Sequence, residues 1–410
     1  MVSVRERYLE APIVELAFGF GKIAFVSGPR QCGKTSLAKR LLAARSEGRY
    51  GNWDDVEFRR EWVRSPRRLA AFAERGSGKP LLALDEVHKA KGWKRTLKGL
   101  YDTLEEPCDI LVTGSACLNV YRRGGESLLG RYVNFRLHPF TLGEWGRPEA
   151  ATPDDFLASL FDPDETREKE SQEALELFLR FGGFPEPLLR QSERYARIWR
   201  RGRSEKIVRE DLRDLSRIPE LSQVEMLMAL LPERAASPLS LQSLRRDLEV
   251  AYDTVKRWMK YLDELYYVFE VKPYTRSVPR SLKKEGKLYL WDWSEVESPG
   301  ARFENLVACH LLKAVHFWTD TGEGAFELHY LRNREKQEVD FLVTRDRKAW
   351  LAVECKLSDE ALTPAFGSFL PHVTCPFIQL VKTPGVRRAV DLAGFRGLVS
   401  SAAPVLRSLP

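Results

Sequence analysis

The sequence predicts an α/β protein of more than one domain, and three observations carry that reading. Residues 22 to about 145 alternate apolar runs with amphipathic stretches: KIAFVSG then TSLAKRLLAA, LLALDE then WKRTLKGLYDTL, followed by DILVTGS and YVNFRL. This is the rhythm of a mostly parallel sheet with crossover helices. The first of these strands runs into a glycine-rich turn, GPRQCGKTS, that opens a helix. From Lys287 onward strand and helix patterns alternate again (LYLWDW, FENLVACHLLKAV, FELHYLR), so a second α/β domain follows. At 410 residues the chain is too long for a single core.

Composition narrows the class. Hydrophobic residues make up 43% and charged residues 30%, as in a globular protein in water. The net charge of +7 is compatible with a polyanionic partner without requiring one. The charge is unevenly spread: Asp154 to Glu176 is mostly acidic, Arg194 to Arg217 is arginine-rich, and Lys272 to Lys287 is basic. The six cysteines (Cys32, Cys108, Cys117, Cys309, Cys355, Cys375) form no CxxC pair and read as scattered thiols of a reducing cytosol. The charged start MVSVRERYLEA is unlike a signal peptide. No apolar run approaches the roughly 18 residues of a membrane helix. The expected setting is therefore cytoplasmic, with no membrane partner.

The strongest local signal is the phosphate motif. Gly28, Pro29, Arg30, Gln31, Cys32, Gly33, Lys34, Thr35 and Ser36 match G-x-x-x-x-G-K-[ST], between the strand IAFVS and a helix. Glycines let backbone N–H groups curl round phosphates, and the helix N-terminus adds partial positive charge. Lys34 is placed for the β- and γ-phosphates of ATP and Thr35 for Mg²⁺. The apolar strand LLALDE ends in Asp85, a second holder of the Mg²⁺ shell, and Glu86, which can orient the attacking water. The bland alternative is an acidic pair that caps the next helix. DILVTGS ends in Thr113-Gly114-Ser115, either a γ-phosphate sensor or a plain strand-end turn.

Between the two α/β regions the pattern is helical. Pro153 to about Arg217 is helical and charged, interrupted by GGFPEPLL (Gly182 to Leu189). Residues 222 to 275 read as VEMLMALL, then LQSLRRDL capped by Ser240, then YDTVKRWMKYLDEL, then YYVFEVKPY and the basic loop SVPRSLKKEGK. This is the order of a winged helix-turn-helix. Lys256, Arg257 and Lys260 lie on its third helix, Arg245 and Arg246 on the one before, and Arg276, Arg280, Lys283, Lys284 and Lys287 on the wing. Such groups offer salt-dependent phosphate contacts, with DNA favoured. A protein–protein spacer with a solvated charged face is the alternative.

In the final domain VDFLVTRDRKAWLAVECKL reads as two strands around the turn Arg345-Asp346-Arg347-Lys348. Strand alternation puts Glu354 and Lys356 on one face, and hairpin arithmetic puts Asp340 opposite Glu354. These three fit D-x(n)-E-x-K, the signature of restriction-endonuclease-like nucleases. Asp340 and Glu354 on adjacent strands can share a Mg²⁺, and Lys356 can position a water or offset phosphate charge. In FENLVACHLLKAV, Glu304 shares a face with Val307, Ala308 and Leu311, so it points inward and needs a partner at the strand pair. The alternative is a structural ion-pair cluster of Glu304 or Asp340 with Lys356.

GPRQCGKTSL, LLALDEVHK, TGSACL and LLGRYVNFRLHPFTLGEW, in this order, resemble the AAA-type P-loop ATPases of bacteria and archaea that carry a C-terminal domain of unknown function. REDLRDL, LKKEGKLYLWD, FENLVACHLL and EVDFLV also resemble that group, although this chain has Asp292-Trp293-Ser294 where the group carries Asp, a small residue and Gly. The resemblance implies an ATP-driven switch or motor. It also favours Arg131 over Arg122 and Arg123 as an arginine finger on transition-state charge, with action across a subunit boundary of an oligomer left open. The expected domains are an AAA-type ATPase over 1–150, a helical lid or linker over 151–217, a winged helix over 218–286 and a PD-(D/E)XK nuclease-like domain over 287–410. Two functions stand at this point: an ATPase whose nucleotide state gates a nucleic-acid-binding, metal-dependent nuclease, or a switch that binds a protein partner and carries an inert nuclease-like domain.

Overall fold

The computed structural model describes residues 5–72, 79–104, 106–114, 128–146, 151–161, 168–212, 220–275, 285–392 and 394–410. Ser115, Cys117, Arg122, Arg123 and the wing residues Arg276, Arg280, Lys283 and Lys284 lie outside the described residues. The chain divides into two compact units, Met1–Pro139 and Phe140–Pro410.

The first unit is built on β1 (Ile23–Ser27), α1 (Lys34–Ala43), β2 (Gly48–Asn52), α2 (Val56–Arg64), β3 (Leu81–Asp85), α3 (Trp93–Asp102), β4 (Asp109–Gly114) and β5 (Tyr132–Arg136). The five strands are all parallel, in the order β2-β3-β4-β1-β5. Every residue of β1, β3 and β4 is buried, which is why these strands read as unbroken apolar runs. The helix α3 closes one face with Trp93, Leu97 and Leu100, spaced to share one stripe. Each such side chain contributes about 1.5–3 kcal/mol of burial. The strand β2 went unread in the sequence, because GRYGN is short, polar and only partly buried at the sheet edge.

The second unit opens with α4 (Leu142–Gly146), α5 (Pro153–Phe161), α6 (Glu168–Phe181), α7 (Pro185–Arg190) and α8 (Glu193–Lys206). Next come α9 (Leu221–Leu230), β6 (Ser237–Pro238), α10 (Leu241–Asp247), α11 (Tyr252–Glu264), β7 (Val268–Pro273) and β8 (Lys287–Leu290). Ser240 caps α10 as expected, its hydroxyl accepting from Ser243 N at 3.4 Å. The long α12 (Pro299–Asp320) follows, then β9 (Phe326–Arg332), β10 (Glu338–Arg345), β11 (Lys348–Lys356), α13 (Pro364–Phe369), β12 (Phe377–Val381), β13 (Arg387–Leu392), β14 (Phe395–Ser401) and α14 (Ala402–Arg407).

One nine-stranded sheet, ordered β13-β14-β12-β11-β10-β9-β7-β8-β6, runs through this unit. The strand read as opening the last domain, β8, lies antiparallel to β7, and β7 runs parallel to β9. The sheet therefore crosses the boundary expected at 286/287. Among the described residues, no helix is long and apolar enough to cross a membrane, and Cys32, Cys108, Cys309, Cys355 and Cys375 are free thiols.

Candidate functional sites

In the first unit the C-terminal ends of the strands form one row. The β1 residue Ser27 lies beside Gly114 of β4, and Thr113 lies beside Asp85 of β3, which lies beside Asn52 of β2. The phosphate loop leaves β1 at this edge. Gly28 is required by contact, since a Cβ there would sit 2.2 Å from the Leu137 carbonyl oxygen. Gln31 (φ 62°) and Gly33 (φ 103°) take left-handed backbone that curls the loop onto the first turn of α1. Lys34 is buried beneath it, and Nζ donates to the carbonyls of Gly28 at 2.9 Å and Pro29 at 2.7 Å.

Asp85 is the hub of this edge and only 3% exposed. Its Oδ2 accepts from the Thr35 hydroxyl at 2.7 Å and the Tyr50 hydroxyl at 2.7 Å, and Oδ1 accepts from the Thr113 hydroxyl at 2.6 Å. Thr35 and Asp85, 50 residues apart in sequence, thus meet as a hydroxyl–carboxylate pair of hard oxygens, the donor set Mg²⁺ prefers. Burial, then the bond to Asp85, pushes the Tyr50 hydroxyl well above its ordinary range, so it stays a donor. Sequence reasoning missed Tyr50 because it missed β2.

Glu86 sits next to this hub with a left-handed backbone, φ 58°, and its N–H donates to Thr113 O at 2.9 Å. Such a conformation costs on the order of 1–3 kcal/mol in a non-glycine residue and recurs at functional sites. Its Oε2 lies 3.6 Å from both His88 Nε2 and Lys89 Nζ. His88 is buried, and that burial lowers its pKa, so the ring is neutral near pH 7.

Arg131 is not brought to this edge. It precedes β5 at the other end of the sheet, where its carbonyl accepts from Ile23 N at 2.9 Å. Its guanidinium pairs with Asp102, Nε to Oδ1 at 2.7 Å and Nη2 to Oδ2 at 3.1 Å. A residue outside the motif does reach the loop: buried Arg7 donates to Cys32 O at 2.6 Å and His138 O at 2.6 Å, tying the loop to the segment after β5. The charged start of the chain gave no sign of that role.

In the second unit the hairpin β10–β11 has the expected register, with Phe341 opposite Val353, and its turn residues Asp346 and Arg347 take positive φ. Asp340 N donates to Glu354 Oε2 at 3.2 Å, and Cys355 N donates to Asp340 Oδ2 at 3.0 Å. Lys356 pairs within its own strand, Nζ to Glu354 Oε1 at 3.0 Å. Glu304 does point inward, but the cation it meets is Lys287 of β8, not Lys356. Lys287 Nζ lies 2.7 Å from Glu304 Oε1, 2.7 Å from Glu338 Oε1 and 3.0 Å from Asp340 Oδ1, and Tyr289 OH donates to Glu304 Oε1 at 2.7 Å. Burial, then the charge of Asp340, pushes Glu304 up to about 8 and Glu354 up to about 7. Lys287 was read as a wing residue, because nothing in the sequence announces that β8 returns beside β7.

Beside α11 a cleft of about 610 Å³ opens between the helix and β7 and β8. Lys256, Lys260 and Lys272 line it, but so do Asp263, Glu270 and Glu285. Arg246, Lys256, Arg257 and Lys260 are exposed.

Residues 21–146 match the family described as an AAA domain, so the front of the chain is an AAA-type, P-loop domain. Residues 172–295 and 299–373 match two domains of unknown function, DUF8612 and DUF4143. An uncharacterised protein of Mycobacterium tuberculosis is 25% identical over 271 residues, 66% of this chain and 54% of its own length. An uncharacterised protein of Methanocaldococcus jannaschii is 26% identical over 227 residues, 51% of this chain and 46% of its own length. The chain thus spans about half the length of the curated relatives it matches. Among solved structures the Walker-type ATPase of Pyrococcus abyssi is similar at 16% identity and a TM-score of 0.44, over 70% of this chain and 93% of that one. A likeness that slight assigns neither fold nor activity.

Proposed function

We propose that this chain binds and hydrolyses ATP at the front edge of its AAA-type domain, and that nucleotide state governs what the second unit binds. The observation that carries this is the meeting of Thr35, Thr113 and Tyr50 on the buried carboxylate of Asp85, directly behind the phosphate loop. Loop N–H groups and the N-terminus of α1 hold the phosphate oxygens. Lys34 neutralises charge at the β- and γ-phosphates. Thr35 and Asp85 would hold Mg²⁺, which supplies further charge neutralisation on those phosphates. Glu86 orients the water that attacks the γ-phosphorus and takes its proton as the β–γ bridging bond breaks.

For the second unit, the order α9, β6, α10, α11, β7, β8 supports a winged helix. The order α12, three antiparallel strands, α13 and the parallel strand β12 supports a restriction-endonuclease-like domain. Exposed Arg246, Lys256, Arg257 and Lys260 favour nucleic acid, DNA first, as the partner. A protein partner is the second reading, favoured by the three carboxylates that face the three lysines in the α11 cleft and leave it with no net attraction for phosphate.

The test is phosphate release from ATP, with and without duplex or single-stranded DNA, across a salt series. DNA stimulation that fades with salt supports the first partner. Salt-insensitive turnover unaffected by DNA, with nucleotide-dependent retention of a protein on the immobilised chain, supports the second. No ATP turnover under any condition rejects the proposal.

A further inference from the structure

We infer that the carboxylate cluster of the second unit is built around the ammonium of Lys287, which sits where Glu304, Glu338 and Asp340 converge, so this nuclease-like hairpin holds no metal and cuts no phosphodiester. The inference does not depend on ATP hydrolysis at the other unit.

The geometry argues it. Glu304, Glu338 and Asp340 come from α12 and β10 and converge on one point, and Lys287 Nζ occupies it at 2.7, 2.7 and 3.0 Å. Those are hydrogen-bond distances for an ammonium. Mg²⁺ binds oxygen at about 2.0–2.1 Å and asks for near-octahedral geometry. A divalent ion cannot enter among these oxygens while a cation already sits between them. Four further oxygens are engaged too. Asp340 Oδ2 accepts from Cys355 N, Glu354 Oε2 from Asp340 N and Glu354 Oε1 from Lys356, while Glu338 Oε2 accepts from Arg332. Both carboxylates of the D…ExK signature are thus satisfied by protein donors. Among the described residues, no group of three or more His, Cys, Asp or Glu is arranged to hold a metal.

The position of Lys287 is not incidental. Its side chain is 2% exposed, beneath the ring of Tyr330 at 5.9 Å from the ring centroid. Its neighbour on β8, Tyr289, donates to the same Glu304 oxygen. A buried lysine is costly unless paired, and this one has three partners. Removal of the ammonium leaves three converging carboxylates with one cation beside them among the described residues, Arg332 on Glu338, which is the composition of a divalent-cation site. The inference therefore has two sides: the native chain takes up no metal here, and Lys287→Ala creates a site that does.

The experiment uses the full chain without nucleotide, in an Asp85→Asn background that removes the phosphate-loop site from the count. Mn²⁺ is titrated by electron paramagnetic resonance, and melting is followed with and without Mn²⁺. The expected result is no bound Mn²⁺ and no melting shift with native Lys287. With Lys287→Ala, one Mn²⁺ is bound and melting rises by several degrees on addition of Mn²⁺, because a ligand that binds only the folded state stabilises it. Asp340→Asn added to Lys287→Ala abolishes both. If Lys287→Ala does not fold, the native chain decides: absence of Mn²⁺ uptake supports the inference. Uptake with Lys287 in place that Asp340→Asn removes overturns it. So does a folded Lys287→Ala that gains no Mn²⁺, or plasmid nicking by the native chain that Asp340→Ala and Lys356→Ala both abolish.

Discussion

Replacement of Lys313 by methionine should destabilise the second unit by about 3–5 kcal/mol, the cost of removing one partner of a buried ion pair. Lys313 lies on α12 and Glu144 on α4, with Nζ 2.6 Å from Oε2 and neither side chain exposed (0%/0%). Nζ also donates to Thr141 Oγ1 at 2.9 Å, whose hydroxyl donates to Pro410 O at 3.0 Å. One turn earlier, His310 Nε2 accepts from Leu142 N at 3.0 Å while Nδ1 lies 2.8 Å from Leu306 O. Burial pushes His310 down to about 3, so the ring is neutral and the tautomer is fixed by these two contacts. In Lys313→Met the Glu144 carboxylate loses this ammonium at a site where its side chain is 0% exposed. The loss corresponds to roughly 6–20 °C in melting temperature for a body of this size. Glu144→Leu combined with Lys313→Met should recover much of it, since an apolar pair of similar volume replaces a buried ion pair at little cost. Calorimetry of the two single variants and the double variant closes the cycle. Single variants that each cost under about 1 kcal/mol, or a double variant that costs the sum of both, would refute the reasoning.

Three further outcomes follow from the geometry. Glu86→Gln should lower ATP turnover by about 10²-fold or more, because it removes the group that takes the water's proton, while binding of a fluorescent ATP analogue changes little. Gly28→Ala should abolish analogue binding, since its Cβ would meet the Leu137 backbone oxygen at 2.2 Å. Stability should fall as pH rises from about 5 through 8. Burial, then Asp292, holds Glu295 up at about 7, and Glu304 stands at about 8, both above the ordinary 4.5. The folded chain keeps these protons where the unfolded chain has lost them, so their contribution is full below about 4.5 and disappears through pH 7 and 8. Melting temperature against pH measures this, and Glu295→Gln should flatten its part of the curve.

The phosphate edge was legible in sequence because its chemistry is local. Gly28 to Ser36 is one contiguous turn, and Asp85 ends an apolar strand that nothing else explains. The hairpin itself was legible too, but its turn pairs Arg345 with Lys348, and a bulge between Val343 and Thr344, which the sequence does not announce, shifts the register by one to set Phe341 opposite Val353. What stayed hidden depends on long-range pairing. Tyr50 reaches Asp85 only because β2 lies beside β3, and GRYGN has no apolar alternation to betray a strand. Lys287 reaches Glu304 and Asp340 only because β8 turns back beside β7 and β7 lies beside β9. The inward tilt of Glu304 was readable from helix spacing, but its partner was not. Charge counting along α11 likewise saw the lysines, whereas Glu270 and Glu285 enter the cleft from a different element.

The decisive measurement is phosphate release from ATP by the purified chain with Mg²⁺, compared among native protein, Thr35→Ala and Asp85→Asn, with folding checked by circular dichroism. Turnover by the native chain that falls to background in both variants is what the edge around Asp85 requires. Turnover that persists in either folded variant would place hydrolysis somewhere other than the phosphate loop.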